Sequence, residues 1–202
     1  MPKVVDHEER RSQLADAALR LVARGGVSAL TNRAVAAESG WSTGVVNHYF
    51  DTAADLQHAA LRRAAELQGV EYDRIRAALP DPRDRLAELT RSVLPVDERR
   101  LALTRIFLAF YAEAATVEAA REELCGYLGR WRAVVLEAVG DAQAAGLVAS
   151  ELDPVRLTFH LVGLTDGLAI QAVVDETVLA RLQAGTDIGR ELVDVAIGKE
   201  LE

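Results

Sequence analysis

Apolar residues recur along this chain at spacings of three and four and almost never at alternate positions, so helices are the predicted elements from end to end. The first clear stripe is Leu14, Ala17, Ala18, Leu21 and Val22, which predicts an amphipathic helix over roughly residues 8–24. Gly25-Gly26 ends it, because glycine accepts the left-handed conformation that closes helices. Thr31 offers an N-cap oxygen to a short helix over roughly 32–39, Gly40 stops that one, and Ser42 caps a third over roughly 43–49. A longer helix runs from about Thr52 to Leu79, where Pro80 and Pro82 break the chain. A short helix fits between Pro82 and Pro95, and two more cover roughly 98–116 and 117–139, the second able to continue across Gly140 to Ala145. Asp153 and Pro154 are an N-cap and first-turn pair for a helix over roughly 154–175, and a last helix covers roughly 177–197.

Composition agrees with that pattern. Ala, Leu, Val, Glu and Arg dominate the 202 residues, and aromatic residues make up only 5%. The expected fold is all-α, long enough for a real core. Two domains are expected: a three-helix domain over residues 1–51 and a larger helical domain over residues 52–202. The single cysteine, Cys125, cannot form an intrachain disulfide and reads as a small apolar residue on a helix. The polar start, Met1 to Arg11, does not resemble a signal peptide. No apolar stretch approaches the roughly 20 residues that span a bilayer. A soluble, cytoplasmic protein without a membrane partner is expected.

A net charge of −8 argues against nucleic-acid binding until it is divided along the chain. Residues 1–50 carry six basic groups (Lys3, Arg10, Arg11, Arg20, Arg24, Arg33) and five acidic ones, a balance of +1. The rest carries 17 basic and 26 acidic groups, a balance of −9. Phosphate attraction depends on local charge, so the first quarter can meet DNA although the whole chain is acidic.

The run Thr31–Phe50, TNRAVAAESGWSTGVVNHYF, carries a specific spacing: Ala36, then Gly40, then Val46. In a helix-turn-helix the small residue lets two helices approach, the glycine takes the positive-φ turn, and the later apolar residue locks the second helix onto the first. An αα-hairpin that only packs has the same spacing. What favours DNA is the third helix, where Thr43, Gly44, Asn47 and His48 are small or polar at the N-terminal and outward positions that meet base edges.

With these residues the first fifty-six positions resemble the DNA-binding domain of the TetR family, from ADAALRLVARGGVSALT (Ala15–Thr31) through Ala36-Ser39-Gly40 to His48-Tyr49-Phe50 and Leu56. The resemblance implies a recognition helix within WSTGVVNHYF, a double-stranded DNA operator and a homodimer. It also implies a ligand-responsive transcriptional regulator, by family habit a repressor. The chain departs from the family in having Ala53 where a phosphate-contacting lysine is common, and Asn47 where tyrosine is common. The DNA-binding candidates are Arg33, Ser42, Thr43, Gly44, Asn47, His48 and Tyr49. Ser42 caps and can touch phosphate, Thr43, Asn47 and His48 face bases or phosphate, and Gly44 admits the DNA backbone. Asn47 can read adenine through a bidentate bond or remain solvated. Tyr49 donates to phosphate or packs. Arg33 contacts DNA or is only an exposed arginine, and Lys3, Arg10 and Arg11 add backbone contacts. Trp41 reads as packing.

In the second domain, Phe107 and Tyr111, then Tyr127 and Trp131, then His160 and Asp166 are the ligand-binding candidates. An apolar pocket with a few polar groups is what small-molecule recognition needs, although aromatic residues in bundles are usually core. The helix over 154–175 is apolar on nearly all sides, which suits a dimer interface. Leu157, Leu161, Leu164 and Leu168 are the expected contacts there, with Val178, Leu182, Leu192 and Ala196 on the last helix. Full burial in one large monomer is the alternative. Ligand entry is expected to tilt the long helix that begins at Thr52 and so respace the two reading heads.

Two other functions compete with this one. An enzyme would need a constellation that is missing from the pattern: none of His7, His48, His58 and His160 has glutamate three residues before it, and there is no P-loop, cysteine cluster or nucleophile elbow. No metal and no cofactor is therefore expected. A helical protein-interaction adaptor explains the second domain but leaves the polar third helix unexplained.

Overall fold

Seven of the described helices start at a side chain that accepts a free amide proton of the first turn. A computed structural model describes residues 7–185 and 187–197, with no strand among the described residues. The helices are α1 (His7–Gly25), α2 (Asn32–Ser39), α3 (Thr43–Tyr49), α4 (Ala53–Ala78), α5 (Pro82–Ser92), α6 (Glu98–Ala114), α7 (Glu118–Ala144), α8 (Pro154–Val174), α9 (Glu176–Ala184) and α10 (Ile188–Ala196). A 3-10 turn, Val27–Ala29, lies between α1 and α2. Thr31 accepts from the Ala34 amide at 3.1 Å and Ser42 from Val45 at 3.3 Å. Thr52 and Asp55 form a reciprocal capping box. Asp81, Asp97, Asp153 and Asp175 cap α5, α6, α8 and α9, where a carboxylate also suits the positive end of the helix dipole. Gly40 ends α2 at φ +76°, a left-handed conformation that glycine adopts without a Cβ clash.

Two buried clusters hold these elements. In the first, Leu14, Val22, Val35, Val46 and Phe50 of the head are continuous with Leu56 and Leu61 of α4, Ile106 and Phe110 of α6, and Leu124 of α7. This apolar cluster crosses residue 51 without a break, and α1 packs on α2, α4 and α6. Glu38 ties α2 to α1 by accepting from Arg20 Nε at 2.7 Å and pairing with Arg24, contacts that hold its carboxyl below the usual range. The second cluster joins Tyr72 and Ile75 of α4, Leu86 and Leu89 of α5, Trp131 and Val135 of α7, Leu157 and Leu161 of α8, and Val193 of α10.

Three sequence expectations are corrected. The predicted last helix is two helices, α9 and α10, separated around Gly185. The stripe that was expected to join Leu182 to Leu192 therefore belongs to two helices, α9 packing on α8 and α10 on α5 and α8. Second, by length and composition α8 is apolar enough to cross a bilayer, with mean hydropathy 1.5, although 39% of its apolar window is buried within the chain. Third, Cys125 stands on a helix, α7, as expected, but is exposed where a small apolar residue is usually buried.

Candidate nucleic-acid interface and ligand cavity

α3 presents its outward side as the sequence suggests. Ser42, Thr43, Gly44, Asn47 and His48 are exposed, and so is Arg33 at the start of α2. Nothing lies within 4 Å of a Cβ built at Gly44 except Ser42 Oγ at 3.8 Å, so the backbone there is open to approach. The Tyr49 ring is half-buried against the first core, and its hydroxyl is 2.9 Å from His7 Nδ1. His48 meets the Tyr49 ring edge-on at 5.2 Å. Trp41 packs against the core, with the Arg10 guanidinium 4.3 Å above its ring, and Arg11 lies 5.5 Å from the Phe50 ring. These arginines are thus held at the head by aromatic faces. Lys3 lies outside the described residues.

One residue of the head was not anticipated. Asn32, the first residue of α2, donates from Nδ2 to Asn47 Oδ1 at 2.7 Å and to the Phe50 carbonyl at 3.2 Å. Its signal in the sequence was absent, because the two asparagines lie 15 residues apart on different helices.

In the second domain, five of the six ligand candidates line one cavity. Phe107 and Tyr111 come from α6, Tyr127 and Trp131 from α7, and Asp166 from α8. The space between the walls is about 590 Å³ with its open mouth included. Phe107 stacks on Tyr127 at 4.4 Å, and Trp131 stacks on Tyr72 at 4.9 Å. His160 is the correction: it is exposed on the outer side of α8, away from the cavity. The reason is angular, since positions 160 and 166 are six residues apart and face different sides of a helix of 3.6 residues per turn. Gln68, Ser92, Arg100 and Thr104 also line the cavity and were not anticipated. Gln68 and Thr104 are buried polar residues on otherwise apolar faces, a pattern readable in sequence only once those faces are known.

The polarity of the cavity is set by Asp166. Its carboxylate accepts from the Tyr111 hydroxyl at 2.9 Å and has no ion-pair partner among the described residues. Burial raises its pKa, opposed by the Tyr111 bond and more weakly by the charge of Arg132. The positive charge at the other wall, Arg100, is already met by Asp97 at 2.8 Å. Burial also raises the phenols, Tyr127 to about 12 and Tyr111 well above its ordinary value, so both stay neutral donors. The buried Trp131 Nε1 has no hydrogen-bond partner among the described residues. The cavity therefore combines aromatic faces with one carboxylate that has no ion-pair partner among the described residues.

The expected dimer residues divide. Leu157, Leu161, Leu182 and Leu192 are buried inside their own chain, Leu161 to 1% exposure. Leu164, Leu168, Val178 and Ala196 are half-buried. The exposed apolar face of α8 is instead Val155, Phe159, Ile170 and Val174, with Phe159 57% and Val174 79% exposed. In a helix apolar on nearly all sides, periodicity does not say which stripe meets its own domain, and here the leucines do.

A helix-turn-helix head joined by one long helix to a cavity-bearing helical domain defines a DNA-binding regulator architecture. Residues 82–196 match the family model described as BetI-type transcriptional repressor, C-terminal, and residues 14–60 match that of the bacterial regulatory proteins of the tetR family. The chain belongs to the TetR family of transcriptional regulators. It is 28% identical over 189 residues to the HTH-type transcriptional regulator PksA of Bacillus subtilis, covering 87% of this chain and 84% of that one. It is 34% identical over 138 residues to the HTH-type transcriptional regulator BetI of Rhizobium meliloti, covering 67% of each. Its fold is similar to a putative transcriptional regulator from Saccharomonospora viridis in complex with choline, with TM-score 0.78, 24% identity, and coverage of 94% of this chain and 95% of that one.

Proposed function

We propose that this regulator is a cytoplasmic homodimeric repressor that leaves its operator when a small organic cation fills the Asp166 cavity. The observation that carries this reading is a carboxylate without an ion-pair partner among the described residues, set among Phe107, Tyr111, Tyr127 and Trp131. Aromatic faces attract cations through their quadrupole, most strongly where water is excluded. The choline in the Saccharomonospora viridis structure has this chemistry, a quaternary ammonium with one hydroxyl, and supports the class.

Transmission runs through α4. Its Leu56 belongs to the core of the head, its Gln68 lines the cavity, and His58 bridges to Glu113 at 3.3 Å and Glu123 at 3.2 Å. A ligand that fits one tilt of α4 better than another shifts operator binding by that difference in affinity and no more. The test is fluorescence-anisotropy binding to DNA from upstream of the protein's own gene, across a salt series. Choline is compared with its neutral carbon isostere. Choline is expected to weaken operator binding and the isostere to have little effect; equal effects would remove the cation from the proposal. An Asn47→Ala/His48→Ala variant is expected to lose preference for the operator over random DNA, by roughly 10-fold or more.

The exposed face of α8 is the proposed dimer contact, replacing the leucine stripe expected from sequence. Pairing that face with a second copy covers Phe159 and Val174, and operator binding requires that the pair hold its two recognition helices about one DNA turn apart. A Phe159→Glu/Val174→Glu variant is expected to sediment as a monomer and to lose operator binding, while its helical circular dichroism is retained. A variant that stays dimeric would move the interface elsewhere.

A further inference from the structure

We infer that Asn32 orients the Asn47 side chain so that its amide donor faces DNA, and that each half-site therefore presents an acceptor base, guanine, at the position Asn47 reads. The inference rests on the reading of α3 as the recognition helix. The chemistry allows only one arrangement. The Phe50 carbonyl can only accept, so the group that Asn32 turns toward it at 3.2 Å is the Nδ2 amide. That same Nδ2 stands 2.7 Å from Asn47, so the Asn47 atom it meets is the acceptor Oδ1. Both amide hydrogens of Asn32 are spent, one on each oxygen. Asn47 is exposed, and with Oδ1 held by Asn32 its Nδ2 is the group free to meet DNA.

The bond also serves the fold. Phe50 closes α3, and its carbonyl has no partner within the helix, so Asn32 satisfies it while holding the reading side chain. An asparagine free to rotate reads adenine by accepting from N6 and donating to N7. With Oδ1 held by Asn32 that pairing is impaired. A pair of outward N–H groups instead matches guanine, whose N7 and O6 both accept in the major groove. Asn32 is a positioning residue here and need not touch DNA itself.

The experiment is selection from a random duplex library by the full-length protein and three variants, read by sequencing. Wild type is expected to enrich guanine over adenine about 10-fold at one position of each half-site, within the range of single base contacts. Asn47→Ala flattens the preference at that position alone. Asn32→Ala frees Oδ1, and adenine rises to within about 2-fold of guanine at the same position while the rest of the site is unchanged. Asn32→Asp keeps the size of the side chain but offers only acceptors. Asn47 must then turn Nδ2 inward and Oδ1 outward, and the position shifts to a donor-bearing base, adenine or cytosine. A loss of packing alone would weaken binding to all sequences without exchanging one base for another. Adenine at the Asn47-dependent position in wild type would overturn the inference, as would an unchanged selected site in both Asn32 variants. If wild type enriches no sequence at all, the recognition-helix reading fails and the inference with it, a result distinct from an enriched site with the wrong base.

Discussion

Replacing Gly189 with alanine is expected to unseat α10 and to lower the melting temperature by about 6–12 °C, the largest loss expected from a single added methyl group in this chain. A Cβ at this position meets the Ala87 carbonyl oxygen at 2.1 Å and its carbon at 2.9 Å. Both are backbone atoms of α5, so no rotamer change relieves the clash and the two helices must separate. Separation stretches the contacts that fasten α10: Arg190 to Asp84 at 2.5 Å, Arg83 to Asp194 at 3.1 Å, and Val193 in the second core. Overpacking in a core usually costs about 1–3 kcal/mol, and a backbone-to-backbone clash belongs at the upper end or beyond. Gly129→Ala is the control. Its Cβ meets nothing within 4 Å, so the better helix propensity of alanine should raise stability by up to about 1 kcal/mol. Thermal unfolding followed by circular dichroism compares the two, and a Gly189→Ala protein melting with wild type would contradict the α5–α10 packing.

Asp166→Asn is expected to lose the response to an organic cation and to gain stability at the same time. On binding, the variant keeps a carbonyl oxygen for the Tyr111 hydroxyl but removes the charge that the ligand neutralises. Losing one partner of a largely desolvated charge pair costs about 2 kcal/mol or more, roughly a 30-fold weaker affinity for choline by calorimetry. On stability, burial raises the Asp166 pKa in the folded chain above its unfolded value. The ionised form is then the disfavoured one, so the group lowers stability as pH rises through the unfolded carboxylate range toward the folded pKa. The penalty is fully present above the folded pKa and absent well below the unfolded one. The melting temperature of the variant should exceed that of wild type at neutral pH, by about 2–4 °C for each kcal/mol relieved, and the gap should close in acid. Choline affinity of wild type should fall on the same acid side, as the carboxylate is protonated. A variant that binds choline as tightly as wild type would remove Asp166 from the effector site, whatever its melting temperature.

The parts of the molecule legible in the sequence are those decided by neighbours along the chain. Caps at Thr31, Ser42 and Asp153 are contests over amide protons two or three residues away. The turn at Gly40 depends on one residue's freedom to take positive φ. The exposed face of α3 follows from period alone once Val46 is placed inward. Five cavity residues were reachable because each pair, Phe107 with Tyr111 and Tyr127 with Trp131, is spaced four apart on one helix, and Asp166 is an acid in an otherwise apolar helix. The break near Gly185 was missed because a lone glycine inside an apolar period is compatible with either a continuous helix or two.

What the chain by itself determined is therefore the helical order, the helix-turn-helix and the candidate reading face, all of them governed by local hydrogen bonding and a 3.6-residue repeat. Tertiary structure alone decided which side of α8 is core. Leu157 and Leu161 turn inward and leave Phe159 and Val174 outside, since a helix apolar all round carries no local preference between stripes. It decided that Asp166 of α8 meets the Tyr111 hydroxyl of α6 and no ion-pair partner among the described residues, since only the packing of the two helices sets what faces that carboxylate. It also decided the pairing of Asn32 with Asn47, since two amides on different helices meet only when packing sets the crossing of those helices.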